Sequence, residues 1–164
     1  MEMIDRCAMV APVDVLIVPG NHDEERSFYL GDSLEAWYHN CNYVTVNNKA
    51  MKRKYYPFGV NLIGFTHGYY EKPDRLPFVM PNEEPHKWAA SKYREWHLGH
   101  VHHKKDLLYR TEDKEGVTIR YLRSLSATDT WHFDKTFIGN IRAAEAFLWD
   151  AKRGLVGQFN AVEG

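Results

Sequence analysis

Short runs of apolar and β-branched residues recur along the chain, and most of them end at polar, proline- or glycine-containing segments. Such runs are typical of buried strands that lead into loops. We interpret the following runs as strands: residues 13–18, 43–46, 52–58, 60–65, 107–110, 117–125, 143–149 and 155–159. Ahead of the first strand, the sequence predicts the end of a helix and a turn at Ala11-Pro12.

The segments between the early strands have helical spacings. Residues 24–38 predict an amphipathic helix, and residues 84–96 predict a second one. The apolar side chains expected within the first helix are Phe28, Leu30, Leu34, Trp37 and Tyr38, and those expected on the inner side of the second are Trp88, Tyr93 and Trp96. Residues 69–85 carry four prolines and predict a long irregular loop. This alternation, followed by a strand-rich end, predicts an α/β fold with an antiparallel contribution.

Composition narrows the class of protein. The chain has 164 residues and a formal net charge of -1, which fits one domain over residues 1–164 and argues against a strongly electrostatic nucleic-acid binder. Its two cysteines, Cys7 and Cys41, do not form a C-x-x-C pair, which favours a reducing, cytoplasmic setting. No apolar run reaches 18 residues, so we expect no membrane partner.

Chemistry-bearing residues follow the first predicted strand, in the order Gly20-Asn21-His22-Asp23. Ligands bind at the carboxyl ends of strands in open α/β sheets. Asn21 offers an amide oxygen to a divalent cation, His22 can donate a proton, and Asp23 can orient a neighbouring imidazole. A simple polar turn is the alternative interpretation, because Asn, Asp and Gly all favour turns.

Histidines mark two further strand ends. His67 follows the strand at residues 60–65, although a single histidine there is more often structural than a metal ligand. Gly99-His100-Val101-His102-His103 is denser, and on an extended backbone His100 and His102 would point to the same side. Two such imidazoles can bind one metal centre, whereas His103 would point away. The alternative is a solvated polar turn.

The ordered set G-N-H-D, H-G and G-H-x-H resembles the calcineurin-like metallophosphoesterases. The resemblance covers residues 13–159 and implies a layered α/β/β/α sandwich and a hydrolase activity. Residues 119–125 also resemble the nuclease subunits of double-strand-break repair complexes, with Arg123-Ser124 where those proteins have a Gly-Ser turn.

The resemblance implies specific roles. Asn21, His67 and His100 would bind one divalent metal (Mn, Fe, Zn or Ni), and His102 would bind a second. His22 would contact the substrate phosphate or protonate the leaving oxygen, with support from Asp23.

Two motifs of this family, D-x-H and G-D-x-x-D, are absent from the nineteen residues before Gly20. Gly31-Asp32-Ser33-Leu34-Glu35 is similar to the second motif, but it lies inside a predicted helix and is expected to be an ordinary exposed helix segment. The missing motifs supply the carboxylate that bridges two metals, and without it two dications about 3.5–4 Å apart repel one another. We therefore expect at most one well-bound metal per chain and weak or no activity.

The same absence removes the first β-α-β portion of the expected sandwich. That would leave a sheet edge and an apolar face open. A homo-oligomer or a separate N-terminal half is the expected partner.

Two classes of function remain open at this point. The first is a metal-dependent phosphoesterase acting on phosphomonoesters, nucleotides or nucleic-acid phosphodiesters, with DNA as one candidate partner. The second is a catalytically impaired metal-binding or interaction module derived from the same fold. Residues 51–56 combine basic and aromatic side chains suited to nucleic acid, although a solvated strand edge has the same composition.

Overall fold

The computed structural model describes residues 1–100, 111–125 and 143–162. In chain order, the elements within these ranges are α1 (Glu2–Ala8), β1 (Val13–Leu16), α2 (Glu24–Tyr38), β2 (Val44–Asn47), β3 (Arg53–Phe58), β4 (Asn61–Thr66), a 3-10 turn (Pro73–Arg75), α3 (Leu76–Glu83), α4 (Pro85–Ala90), β5 (Tyr93–Leu98), β6 (Thr111–Lys114), β7 (Val117–Tyr121), β8 (Ala143–Asp150) and β9 (Gly154–Val162). They belong to two units, residues 1–54 and 55–164, and the boundary falls within β3.

The first unit is built on the parallel pair β1 and β2, in register from Val13 opposite Val44 to Leu16 opposite Asn47. Leu34 and Tyr38 of α2 are buried together with Val44. The Tyr38 hydroxyl donates a hydrogen bond of 2.7 Å to an Asp5 carboxylate oxygen. That bond ties α1 to the end of α2.

The second unit contains a five-stranded mixed sheet in the order β3-β4-β5-β7-β6. β5 pairs in parallel with both β4 and β7, whereas β6 and β7 are antiparallel. β8 and β9 form a separate antiparallel pair. The two parallel neighbours of β5 place three strand ends along one edge of the sheet.

One face of this sheet carries the hydrophobic core. Trp96 and Leu98 of β5 are buried there with Ile119 of β7 and with Leu76 and Met80 of α3. The Trp96 indole N–H donates a hydrogen bond of 3.1 Å to the Leu76 carbonyl oxygen. Because side chains alternate along a strand, Glu95 and His97 project from the opposite face.

The β8–β9 pair packs against that opposite face. His97 lies 4.6 Å from Phe147 of β8, measured between ring centroids. The Asn61 side-chain amide donates to the Asp150 carbonyl oxygen at 2.9 Å. The second unit therefore has helix, sheet and sheet layers.

The predicted α/β class is confirmed, while the specific metallophosphoesterase sandwich stays a prediction. The strands predicted within the described ranges are all present with shifted ends, and the predicted strand at 107–110 lies outside those ranges. Helix α2 spans the predicted residues, but Trp37 is 65% exposed, and Phe28 and Leu30 are also exposed. No helix in the part of the chain that the structure describes is both long and apolar enough to cross a membrane.

Two predictions of secondary structure were wrong. Residues 69–85 are not one irregular loop, because they contain the 3-10 turn and α3. Pro77 lies in the first turn of α3, where a missing N–H has no partner to lose, whereas Pro81 lies inside the helix. The helix predicted over residues 84–96 ends at Ala90, and residues 93–98 form the central strand β5 instead.

The segment Gly31-Asp32-Ser33-Leu34-Glu35 does lie in a helix, but it is not simply exposed. Gly31 is buried, and a Cβ there would meet the Asn48 side chain at 1.9 Å. Asn48 donates hydrogen bonds to the Phe28 carbonyl oxygen and to the Asp32 carboxylate. The segment therefore closes the contact between α2 and the end of β2.

Candidate metal site

Two of the predicted ligands meet in the second unit. His67 follows the last residue of β4, and His100 lies two residues beyond the end of β5. The two strands are parallel neighbours, and their last paired residues are Thr66 and Leu98. Both imidazoles are half-buried. The sheet register thus brings together two histidines that are 33 positions apart in the sequence.

The separation of the two rings fits a shared metal ion. His67 Nε2 lies 3.2 Å from His100 Nδ1, and the rings are inclined by 67°. Metal–nitrogen bonds of about 2.0–2.1 Å place two ligand nitrogens about 2.9 Å apart at a right angle and about 3.4 Å apart at the tetrahedral angle. The observed distance lies between these values. It also fits a hydrogen bond between two neutral imidazoles.

Glycines lie next to both histidines in the sequence. A Cβ at Gly99 would lie at an ordinary contact distance, 3.4 Å, from His67 Nδ1. Gly68 has φ +90, a conformation that residues with a side chain rarely adopt, and its missing Cβ would lie 3.3 Å from Leu98. Gly68 is therefore explained by its backbone conformation and its approach to Leu98.

The backbone at His100 differs from the prediction. His100 has φ 59, in the left-handed region, so it is not part of an extended segment. We predicted an extended backbone on which His100 and His102 point to the same side. That prediction was wrong for the backbone at His100. Left-handed histidine is uncommon outside functional or turn positions, and here it turns the ring back towards His67.

Two tyrosines border the histidine pair. The Tyr69 ring centroid lies 5.0 Å from that of His100, with the planes at 81°. The rings of Tyr69 and Tyr70 are 4.9 Å apart and nearly perpendicular. Both side chains are more than half exposed. Sequence reasoning missed these residues, since their position inside a predicted loop carried no periodic signal.

The G-N-H-D segment lies in the first unit, between β1 and α2. Asp23 is the N-cap residue of α2, and its side chain accepts a 2.7 Å hydrogen bond from the Gly20 backbone N–H. His22 is exposed, and Asn21 is partly buried. Asp23 thus closes a tight turn on Gly20, as the polar-turn alternative requires, and the functional roles of the three side chains stay predictions.

The remaining predicted ligand, His102, lies outside the described residues, as does His103. Within the described ranges, His, Cys, Asp and Glu side chains form no group of three or more that could hold a metal. A metal ion bound by His67 and His100 would therefore need further donors.

A buried ionic network was not predicted from the sequence. The Glu95 carboxylate accepts hydrogen bonds from Arg120 Nε and Nη2 and lies 2.7 Å from His97 Nε2. Arg120 Nη1 also donates to Thr111 and Gln158. His97 lies three residues before His100 in the sequence, but it is buried against the β8–β9 layer. It joins strands and is separate from the His67–His100 pair.

Burial and hydrogen bonding act in opposite directions on Glu95. Burial raises the pKa of Glu95, but hydrogen bonds from His97 and Arg120 together outweigh burial and hold that pKa below its usual value. Glu95 is therefore an ionised partner of the Arg120 guanidinium.

The basic segment at residues 51–56 is only partly available as a surface. Lys54 is buried, and its ammonium donates to the Asn47 carbonyl oxygen at 2.6 Å. Burial lowers the pKa of Lys54. The central lysine of the segment is thus a structural contact, and neither of the two sequence interpretations anticipated it.

Comparison with known proteins leaves the site to be judged on its own geometry. No family model, curated protein or solved structure matches this chain. Function is therefore inferred from the described residues and from their chemistry.

Proposed function

We propose that this chain is a metal-dependent phosphoesterase, or the part of one that carries His67 and His100. The observation that supports this best is the 3.2 Å approach of His67 Nε2 to His100 Nδ1 at the ends of two parallel strands. Two imidazole nitrogens at this separation suit Zn, Mn, Fe or Ni.

A divalent ion held by these nitrogens would polarise a phosphoryl oxygen and make hydroxide available at neutral pH. The chain's own contribution is to fix the two imidazoles. His67 directly follows β4, and His100 has a left-handed backbone at the point where its ring meets that of His67. For the first unit, the proposal keeps Asn21 as a metal ligand and His22 as the group that contacts phosphate or protonates the leaving oxygen.

The test is hydrolysis of bis(p-nitrophenyl) phosphate by the full chain with and without Mn²⁺. We expect weak hydrolysis that depends on Mn²⁺ and is reduced at least tenfold, about 1.4 kcal/mol, by His67→Ala and by His100→Ala. His86→Ala is the matched control, because His86 is an exposed histidine on α4 of the same unit. It should retain the rate of the unchanged protein.

Hydrolysis that survives both substitutions would overturn the proposal. Metal binding that needs both histidines, without hydrolysis of any phosphoester, would favour the metal-binding module instead.

A further inference from the structure

Two consecutive aromatic side chains lie beside the histidine pair, and both are exposed. Tyr69 is 53% exposed and Tyr70 is 54% exposed. They follow His67 after only one residue, Gly68, which has φ +90. This left-handed glycine turns the chain sharply after the ligand, so the two rings border the site.

The contacts of the tyrosine pair connect it to the site. Tyr69 makes an edge contact with His100, with centroids 5.0 Å apart, and Tyr70 makes the same type of contact with Tyr69. A group bound at the imidazole pair would therefore lie beside Tyr69, and the Tyr69 ring in turn contacts Tyr70. An edge-to-face contact leaves much of each ring surface uncovered, and both tyrosine side chains are indeed more than half exposed.

From this arrangement we propose that the tyrosine pair is a stacking subsite for an aromatic substituent of the phosphoester, such as a nucleobase. This inference rests on the proposed function and names its substrate class. Aromatic side chains beside a phosphate site bind bases through their flat faces with little dependence on base identity. The subsite would favour nucleotides and nucleic-acid ends over phosphoesters of aliphatic alcohols.

The tyrosine pair also has a different chemistry from the charged surfaces of the chain. Tyrosine rings bind by stacking and apolar contact, so their contribution depends weakly on salt, whereas binding by lysines and arginines falls steeply as salt rises. A preference for the aromatic ligand that persists at high salt is therefore the signature of this subsite.

The experiment compares two ligands that differ only in the base. They are the methylene phosphonate analogues of adenosine 5′-monophosphate and of ribose 5-phosphate, which bind without being hydrolysed. Isothermal titration of the full chain with Mn²⁺ present should show the adenosine analogue binding at least about tenfold tighter. The difference should persist at 0.5 M NaCl.

Substitutions assign the difference to the pair. Tyr69→Leu and Tyr70→Leu should each reduce the tenfold preference, while Tyr69→Phe and Tyr70→Phe, which keep the ring, should retain it. Tyr43→Leu is the control, because Tyr43 is 61% exposed and lies in the first unit. It should leave both affinities unchanged.

Equal affinity for the two ligands, or failure of both to bind, would overturn the inference. So would an equal loss for both ligands in the Leu variants, because that would show that the tyrosines only position His100. Failure of the proposed function is a separate outcome. A protein that hydrolyses no phosphoester but still prefers the adenosine analogue would refute the phosphoesterase activity and support the subsite.

Discussion

Glu95→Gln removes one charge from the buried network that joins β5 to β7 and to the β8–β9 layer. Only 5% of the Glu95 side chain and 10% of the Arg120 side chain are exposed. The substitution nearly preserves side-chain size, so packing around Trp96 and Phe147 should be maintained. Its main effect is to leave a buried guanidinium without its carboxylate.

The size of this effect follows from the contacts. Removing one partner of a buried ion pair costs about 3–5 kcal/mol. Arg120 keeps its hydrogen bonds to Thr111 and Gln158, and the glutamine oxygen can still accept one N–H from Arg120. We therefore expect a loss near the lower end of that range, about 3 kcal/mol of unfolding free energy at pH 7.

Urea unfolding followed by tryptophan fluorescence measures the loss, since Trp96 is buried beside Glu95 in β5. Arg153→Gln is the control. It breaks a 2.9 Å ion pair with Asp150 in which Arg153 is 77% exposed, and such pairs contribute about 0–1 kcal/mol. If Glu95→Gln loses no more than Arg153→Gln, the reasoning about buried charge is refuted.

The pH dependence gives an independent check on the same residue. The pKa of Glu95 is held below its usual value, so its stabilising contribution is complete above its unfolded-state pKa, near about 4.3. That contribution is lost as the pH falls through the lower folded-state pKa. The difference in stability between the unchanged protein and Glu95→Gln should therefore shrink as the pH falls from about 5. A constant difference down to pH 3 would contradict this.

Two glycine substitutions test the packing that supports the site. Gly64→Ala should destabilise the second unit by about 1–3 kcal/mol or more, because the added Cβ would come within 2.6 Å of the Trp96 ring. Gly68→Ala should lose more stability than Gly116→Ala in urea unfolding. Both positions have positive φ, which costs about 1–2 kcal/mol, but only Gly68 has a neighbour within 4 Å, the Leu98 side chain. Equal losses at the two positions would show that backbone strain alone is responsible.

Much of the fold could be predicted because its strands have simple patterns. β4 contains the apolar run at residues 62–65, which is typical of a strand buried on both faces. Helix α2 begins with Glu24 and Glu25 and contains no proline, and its bounds match the prediction. His67 was placed correctly just after β4, because the apolar run ends at Phe65, two residues before it.

The central strand β5 was missed for a physical reason. Its sequence, YREWHL, places Glu95 and His97 on a buried face, where an apolar residue is the usual occupant. Glu95 is tolerated there because it pairs with Arg120 of β7, and a local sequence pattern does not reveal pairing between distant strands. Helix α3 was missed because proline was interpreted as a loop signal, although Pro77 occupies the first turn. The Tyr69–His100 contact could not be predicted from a local pattern either, because it depends on the β4–β5 register.

Metal binding tests the central claim most directly. Isothermal titration with Zn²⁺ should show one well-bound ion per chain in the unchanged protein, and His67→Ala and His100→Ala should each weaken it at least about tenfold. His86→Ala should bind as the unchanged protein does. Unaltered affinity in both His67→Ala and His100→Ala would contradict the account, because the 3.2 Å imidazole pair would then be only a hydrogen bond between two strand ends.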